Sequence, residues 1–192
     1  KSTAGSHGLI MRAQACKPGT LFGAVAPNHK MVRRNIVETL MRESARLGIP
    51  ATYRMSAGEV DLLNARIQLA SADKPQSLAG PNWAAAWLDE PANMSKEAIN
   101  ECILRMRSDG LPHQQVIFTG TPRGTRTYLQ ELMRKAESWP SEHPGEPNPI
   151  CAVIAPTWLN AKNLPKGFIE NHRDVTFKND PAGFSNFILG KA

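Results

Sequence analysis

Two carboxylates, Asp89 and Glu90, stand side by side at the end of an apolar run. Residues 84–91 read AAAWLDEP, and Pro91 follows the acidic pair at once. A short apolar run bounded by a breaker predicts a buried strand of an α/β sheet. In open sheets, ligands bind just beyond the carboxyl ends of the strands. The chemistry that suits such a pair is phosphoryl transfer. Asp89 would help hold a magnesium ion and Glu90 would polarise the attacking water, which is the Walker B pattern. A plain structural use also exists, because an acidic turn or helix N-terminus welcomes carboxylates.

The chain opens Lys1-Ser2-Thr3. These residues match the end of G-x-x-x-x-G-K-[ST], the loop that cradles phosphates, or Walker A. The glycines that open that motif are not in the sequence. A helix is expected over 2–16 and a strand over 21–28, LFGAVAPN. Lys-Ser-Thr before a helix and a strand, with Asp-Glu on a later strand, is the order of an ATPase with a catalytic glutamate.

The composition bounds the rest. A length of 192 residues suits one α/β domain. Hydrophobic content of 41% against 21% charged residues supports a folded core. No apolar run nears the ~20 residues of a membrane span, and no signal peptide is visible. Cys16, Cys102 and Cys151 are far apart and odd in number, which suggests a reducing cytoplasm rather than a disulfide framework. The net charge of +6 permits contact with nucleic acid, but the basic residues are dispersed. His7, His29, His113, His143 and His172 share no metal spacing, and Ser2, Ser71 and Ser77 lack the G-x-S-x-G context of a serine hydrolase.

The elements that must position the acidic pair alternate along the chain. Val32, Ile36, Leu40 and Leu47 mark one face of a helix over 29–47, with Arg33, Arg34, Arg42 and Arg46 on its solvated side. Short strands are expected within 51–72 and a loop over 74–82. After the Asp-Glu strand, Ser95 offers a cap, and Ala98, Ile99, Cys102, Ile103 and Met106 form the inner stripe of a helix over 96–108. A strand over 114–124 and a helix over 127–138, with Leu129, Leu132 and Met133 inward, come next. The Pro-rich stretch 139–149 predicts a flexible loop, ICAVIAPT at 150–157 a last buried strand, and PKGFIENH at 165–172 and PAGFSNFILG at 181–190 short closing helices. The alternation predicts a mostly parallel sheet with helices on both faces. Trp83 and Trp87, four apart, should share one strand face and pack in the core rather than stack on bases.

KSTAG, GAVAPN, LASADKPQSLAG, AAAWLDEPANMS, IFTGTPRG and the closing TWLNAKNLPKGFIE and FSNFILGKA together resemble the ATPase domain of a large terminase subunit, the DNA-packaging motor of tailed bacteriophages and prophages. Their order matches over nearly the whole chain. The resemblance implies a three-layer P-loop NTPase of the additional-strand, RecA-like type, spanning 1–192 as a single ATPase domain. It implies ATP and Mg2+ as cofactors. Lys1, Ser2 and Thr3 would contact ATP, with Lys1 a charge for the β/γ-phosphates and a catalytic residue beside Glu90. Ser2 and Asp89 would hold magnesium, and Thr119, Gly120 and Thr121 would couple hydrolysis to movement. Implied partners are double-stranded DNA, the portal protein and the small terminase subunit. The motor would be a ring homo-oligomer in the cytoplasm of a bacterial host.

One departure concerns the loop before the Asp-Glu strand. Many relatives carry an arginine where this chain has Ala79, and such a finger is worth ~10³–10⁵ in rate. Arg66, Arg123 and Arg126 are the candidate substitutes, Arg123 being nearest a motif. The family's nuclease domain lies beyond this stretch. Glu59, Asp61, Asp73 and Asp109 are scattered, so no nuclease activity is expected here. Two other readings fit the residues: another ATP-driven nucleic-acid translocase such as a helicase, and a catalytically silent basic domain that binds DNA or a partner.

Overall fold

A computed structural model describes residues 1–121 and 127–185. The chain divides into two compact units between Gly120 and Thr121.

The first unit is built on a six-stranded sheet in the order β2-β3-β4-β1-β5-β6. Strands β1 (Thr20–Ala26), β4 (Ala65–Ser71), β5 (Ala85–Asp89) and β6 (Gln115–Thr119) run parallel. Strands β2 (Ala51–Arg54) and β3 (Glu59–Leu62) add an antiparallel edge. Strands β1 and β5 are almost wholly apolar because both of their sides are covered. Phe22, Ala24, Ala26, Ala85 and Trp87 share a core with Leu9, Ile10 and Ala13 of α1 (Ser2–Ala15) and with Val32, Ile36 and Leu40 of the long helical stretch after β1. Val25, Ala86 and Leu88, which alternate onto the opposite face, are also fully buried. Helix α4 (Lys96–Leu104) buries Ala98, Ile99 and Cys102, and Ser95 caps it by accepting the Ala98 N–H at 3.1 Å. Burial pushes the Cys102 thiol up to about 12.

The helix expected over 29–47 is present but not uniform. It starts as α2 (His29–Met31), widens into a π turn at Val32–Val37, and closes as α3 (Glu38–Arg46). Nothing in the apolar spacing signals the extra residue of a π turn.

Trp83 and Trp87 both lie in the core, but on opposite faces. Trp83 lies over Gly23, where an added Cβ would fall 2.6 Å from its ring. Trp87 lies against Gly5 of α1, where the corresponding gap is 2.2 Å. Trp87 pairs in register with Ala24, the strand neighbour of Gly23, so the two rings project oppositely. The expectation of a shared face fails because Ala84 is a bend rather than a strand residue, which breaks the alternation.

In the second unit, α5 (Tyr128–Glu142) runs on into the stretch expected to be a flexible loop, with Pro140 inside it. A proline leaves the carbonyl four residues earlier without its helical donor. That carbonyl belongs to Ala136, and the Asn148 side chain donates to it at 2.8 Å. The buried strand expected over 150–157 does not form: residues 151–155 are exposed, Val153 at 85%. An apolar run becomes a strand only where a neighbour completes its backbone hydrogen bonds, and among the described residues the sheet ends at β6. Short helices α6 (Phe168–Asn171) and α7 (Pro181–Phe184) follow.

Candidate functional site

The carboxyl ends of β1, β4, β5 and β6 lie at one edge of the sheet, and Asp89 is the last residue of β5. Its side chain is 1% exposed. A buried carboxylate needs donors, and three side chains supply them. Thr119, paired with Asp89 across β5 and β6, donates its hydroxyl to Oδ1 at 2.8 Å. Ser2, the first residue of α1, donates to the same oxygen at 3.3 Å. Asn35, from the π turn, donates to Oδ2 at 3.1 Å. Thr119 in turn accepts the indole N–H of Trp87 at 2.7 Å. Since an indole only donates, the Thr119 proton is directed at Asp89.

Glu90 leaves the strand in the left-handed region, at φ 55° and ψ 52°. A residue before proline is normally extended, and a left-handed side chain costs ~1–2 kcal/mol. Surrounding bonds hold the conformation: the Glu90 N–H donates to the Thr119 carbonyl at 2.6 Å, and its carbonyl accepts the Asn93 N–H at 3.0 Å. The turn brings the Glu90 carboxylate to the Lys1 ammonium, Nζ to Oε1 2.5 Å. Lys1 is about half exposed, so this pair adds little stability, and its interest is position. Strained backbone of this kind clusters where a side chain must be aimed.

Lys1, Ser2, Asp89, Glu90 and Thr119 thus converge at one place, from three elements far apart in sequence. Thr3 is exposed on the first turn of α1, which carries no acidic residue. Such a helix start, with a lysine beside it, suits an anion. Gly120 follows Thr119, and Thr121 opens the second unit. Arg66 lies at the amino end of β4, beside Leu21 and 3.7 Å from Glu59, at the opposite edge of the sheet from Asp89. Arg123 and Arg126 fall outside the described residues. Ala79 is exposed, just after a 3-10 turn at Pro75–Leu78. Asp73, beyond the end of β4, accepts the Ser71 hydroxyl at 2.6 Å, which holds its carboxyl below the usual range. The sequence patterns do not single out Asn35, since an asparagine inside a helical stripe carries no motif.

The oxygen-only donor set fits a hard divalent cation such as magnesium: a serine hydroxyl beside a buried carboxylate that has lone-pair capacity left after three donors. A family model for the terminase large subunit, T4likevirus-type, N-terminal, matches residues 1–188. The chain belongs to this family. Among solved structures, the large terminase from a thermophilic bacteriophage superposes with a TM-score of 0.76 at 17% identity, covering 96% of this chain and 44% of that one. The same terminase in complex with ATP-gamma-S gives 0.75 at 18% identity, over 96% and 43%. The large terminase ATPase domain of Thermus phage P74-26 gives 0.64 at 16% identity, over 100% and 83%. At these identities the likeness shows a common fold. This terminase chain spans less than half the length of the thermophilic phage protein. No curated protein matches it.

The left-handed turn makes a stability prediction for this terminase domain. Glu90→Gly removes the strain but enlarges the unfolded ensemble, so the net gain is about 0.5–1 kcal/mol. Urea denaturation of the variant should show a raised midpoint. A lowered midpoint would mean that the glutamate side chain stabilises more than its backbone costs.

Proposed function

We propose that this domain hydrolyses ATP and, within the full-length large terminase, couples hydrolysis to translocation of double-stranded DNA into a procapsid. The observation that carries the reading is the convergence of Lys1, Ser2, Asp89 and Glu90 at the carboxyl edge of the sheet. Membership of the terminase family and the nucleotide complexes of the thermophilic phage terminase support it.

Each side chain has a task in this reading. Lys1 neutralises phosphate charge, and the start of α1, with Ser2 and Thr3, receives the phosphates. Ser2 and Asp89 would hold magnesium, which when bound supplies charge neutralisation on the transferring phosphoryl group. Glu90 orients and polarises the attacking water. Thr119, bonded to Asp89 at the end of β6, leads through Gly120 to Thr121 and so passes the state of the site along the chain to the next unit. A finger arginine would come from Arg66, Arg123 or Arg126, Arg66 serving only a neighbouring subunit because it lies at the far edge of its own sheet. Portal protein, small terminase subunit and a ring of copies in the host cytoplasm complete the motor.

The test is ATP turnover by the full-length protein with and without magnesium, duplex DNA and portal-bearing procapsids. Magnesium-dependent turnover, and duplex that becomes nuclease-resistant inside procapsids, are expected. Strand separation without packaging would make the protein a helicase. Absence of nucleotide binding by native protein would leave only the silent basic domain.

A further inference from the structure

Asp89 Oδ2 is held by a residue that the catalytic reading does not use. Asn35 sits in the π turn at Val32–Val37, flanked by the buried Ile36 and the exposed Arg34. Its Nδ2 donates to Asp89 Oδ2 at 3.1 Å, and its Oδ1 accepts from Arg34 Nε at 3.3 Å. The chemistry leaves one orientation for the amide. Arginine only donates and an ionised carboxylate only accepts, so the oxygen must face Arg34 and the nitrogen Asp89. Single π turns inside α-helices recur at functional sites, where the extra residue re-aims a side chain. Here the turn brings Asn35, which lies between the exposed Arg34 and the buried Ile36, to the end of β5.

We propose that Asn35 is a positioning residue for Asp89, oriented by Arg34, and that divalent-cation binding by this terminase depends on the pair. The inference rests on Asp89 being the cation carboxylate. Thr119 and Ser2 both load Oδ1, so Asn35 alone among the described side-chain donors fixes where Oδ2 lies. Partners that orient a metal-binding carboxylate are worth ~10–100-fold in metal affinity when removed.

The experiment is a titration of full-length protein with Mn2+, followed by electron paramagnetic resonance, in the presence of a non-hydrolysable ATP analogue. Asn35→Ala should weaken Mn2+ binding about 10-fold or more, with nucleotide affinity in the absence of metal unchanged. Asn35→Leu fills about the same volume without the amide donor. It should weaken Mn2+ binding as Asn35→Ala does, whereas a mere packing role would leave the leucine variant close to the parent. Arg34→Ala should weaken binding about threefold while Arg33→Ala, its exposed neighbour, does nothing. Should the Asn35 variants not fold, this arginine pair carries the test. If Asp89→Asn loses Mn2+ binding while the Asn35 and Arg34 variants match the parent, the positioning role is wrong and the reading of Asp89 stands. If Asp89→Asn itself binds Mn2+ like the parent, the reading of Asp89 fails and the inference falls with it.

Discussion

Glu90→Gln in the full-length terminase should lower magnesium-dependent ATP turnover about 10³-fold while leaving nucleotide bound. Glutamine matches glutamate in shape, so the left-handed turn and its two backbone hydrogen bonds survive. What is lost is the negative charge that, in the proposed role, polarises water, and general-base help of this kind is worth ~10²–10⁴. The nucleotide side of the prediction has its own sign. Lys1 is paired with the Glu90 carboxylate, and a phosphate must compete for that ammonium. Removing the charge releases Lys1 in part, so ATP should bind as tightly as in the parent or up to about threefold more tightly, the scale of a half-exposed ion pair. Loss of both turnover and binding would instead mean that Glu90 shapes the phosphate site. Turnover within tenfold of the parent would remove Glu90 from the chemistry. Measuring steady-state hydrolysis beside fluorescent-nucleotide affinity separates these outcomes.

The parts of this site that can be read from sequence are those with local signatures. LDEP announces a strand with carboxylates at its end, because apolar runs and breakers act over a few residues. Lys1 and Ser2 are legible through a motif fragment, and Thr119 through the resemblance that IFTGTPRG carries. The meeting of these residues depends on strand order, with β1 between β4 and β5, which no local pattern dictates. Asn35 is illegible for a different reason. Its use depends on a π turn, and the Val32, Ile36 and Leu40 stripe reads the same with or without one. The failures in the second unit share a cause. Residues 150–157 look like a strand and 139–142 like the start of a loop when each is read alone. Their structure depends on remote partners: a strand needs an edge to join, and Pro140 stays in a helix because Asn148 supplies the missing donor. Trp83 misleads because a single bend at Ala84 undoes a two-residue period.

The largest stability effect is expected at Trp87. Its ring is fully buried between β5 and α1, and Gly5 is the residue that lets the helix approach it. Trp87→Ala removes the whole ring from a close-packed layer and should cost about 3–5 kcal/mol, read as a lower denaturant midpoint. Trp87→Phe separates packing from hydrogen bonding. It keeps most of the apolar volume but deletes the N–H that Thr119 accepts, and should cost about 1–2 kcal/mol. The two variants should also differ at the site. In the phenylalanine protein the Thr119 hydroxyl is no longer forced to aim its proton at Asp89, so turnover should fall more than stability alone explains. Gly5→Ala tests the other side of the same contact. Its methyl would arrive 2.2 Å from the indole, so α1 must move, and α1 carries Ser2. Stability and nucleotide affinity should therefore fall together in Gly5→Ala, whereas Trp87→Phe should spare affinity. A Trp87→Ala protein less than about 1 kcal/mol weaker than the parent would show that the layer can collapse around the gap. In that case α1 would not be held to the sheet chiefly by this ring, and the placement of Ser2 beside Asp89 would rest on Leu9, Ile10 and Ala13 farther along the helix.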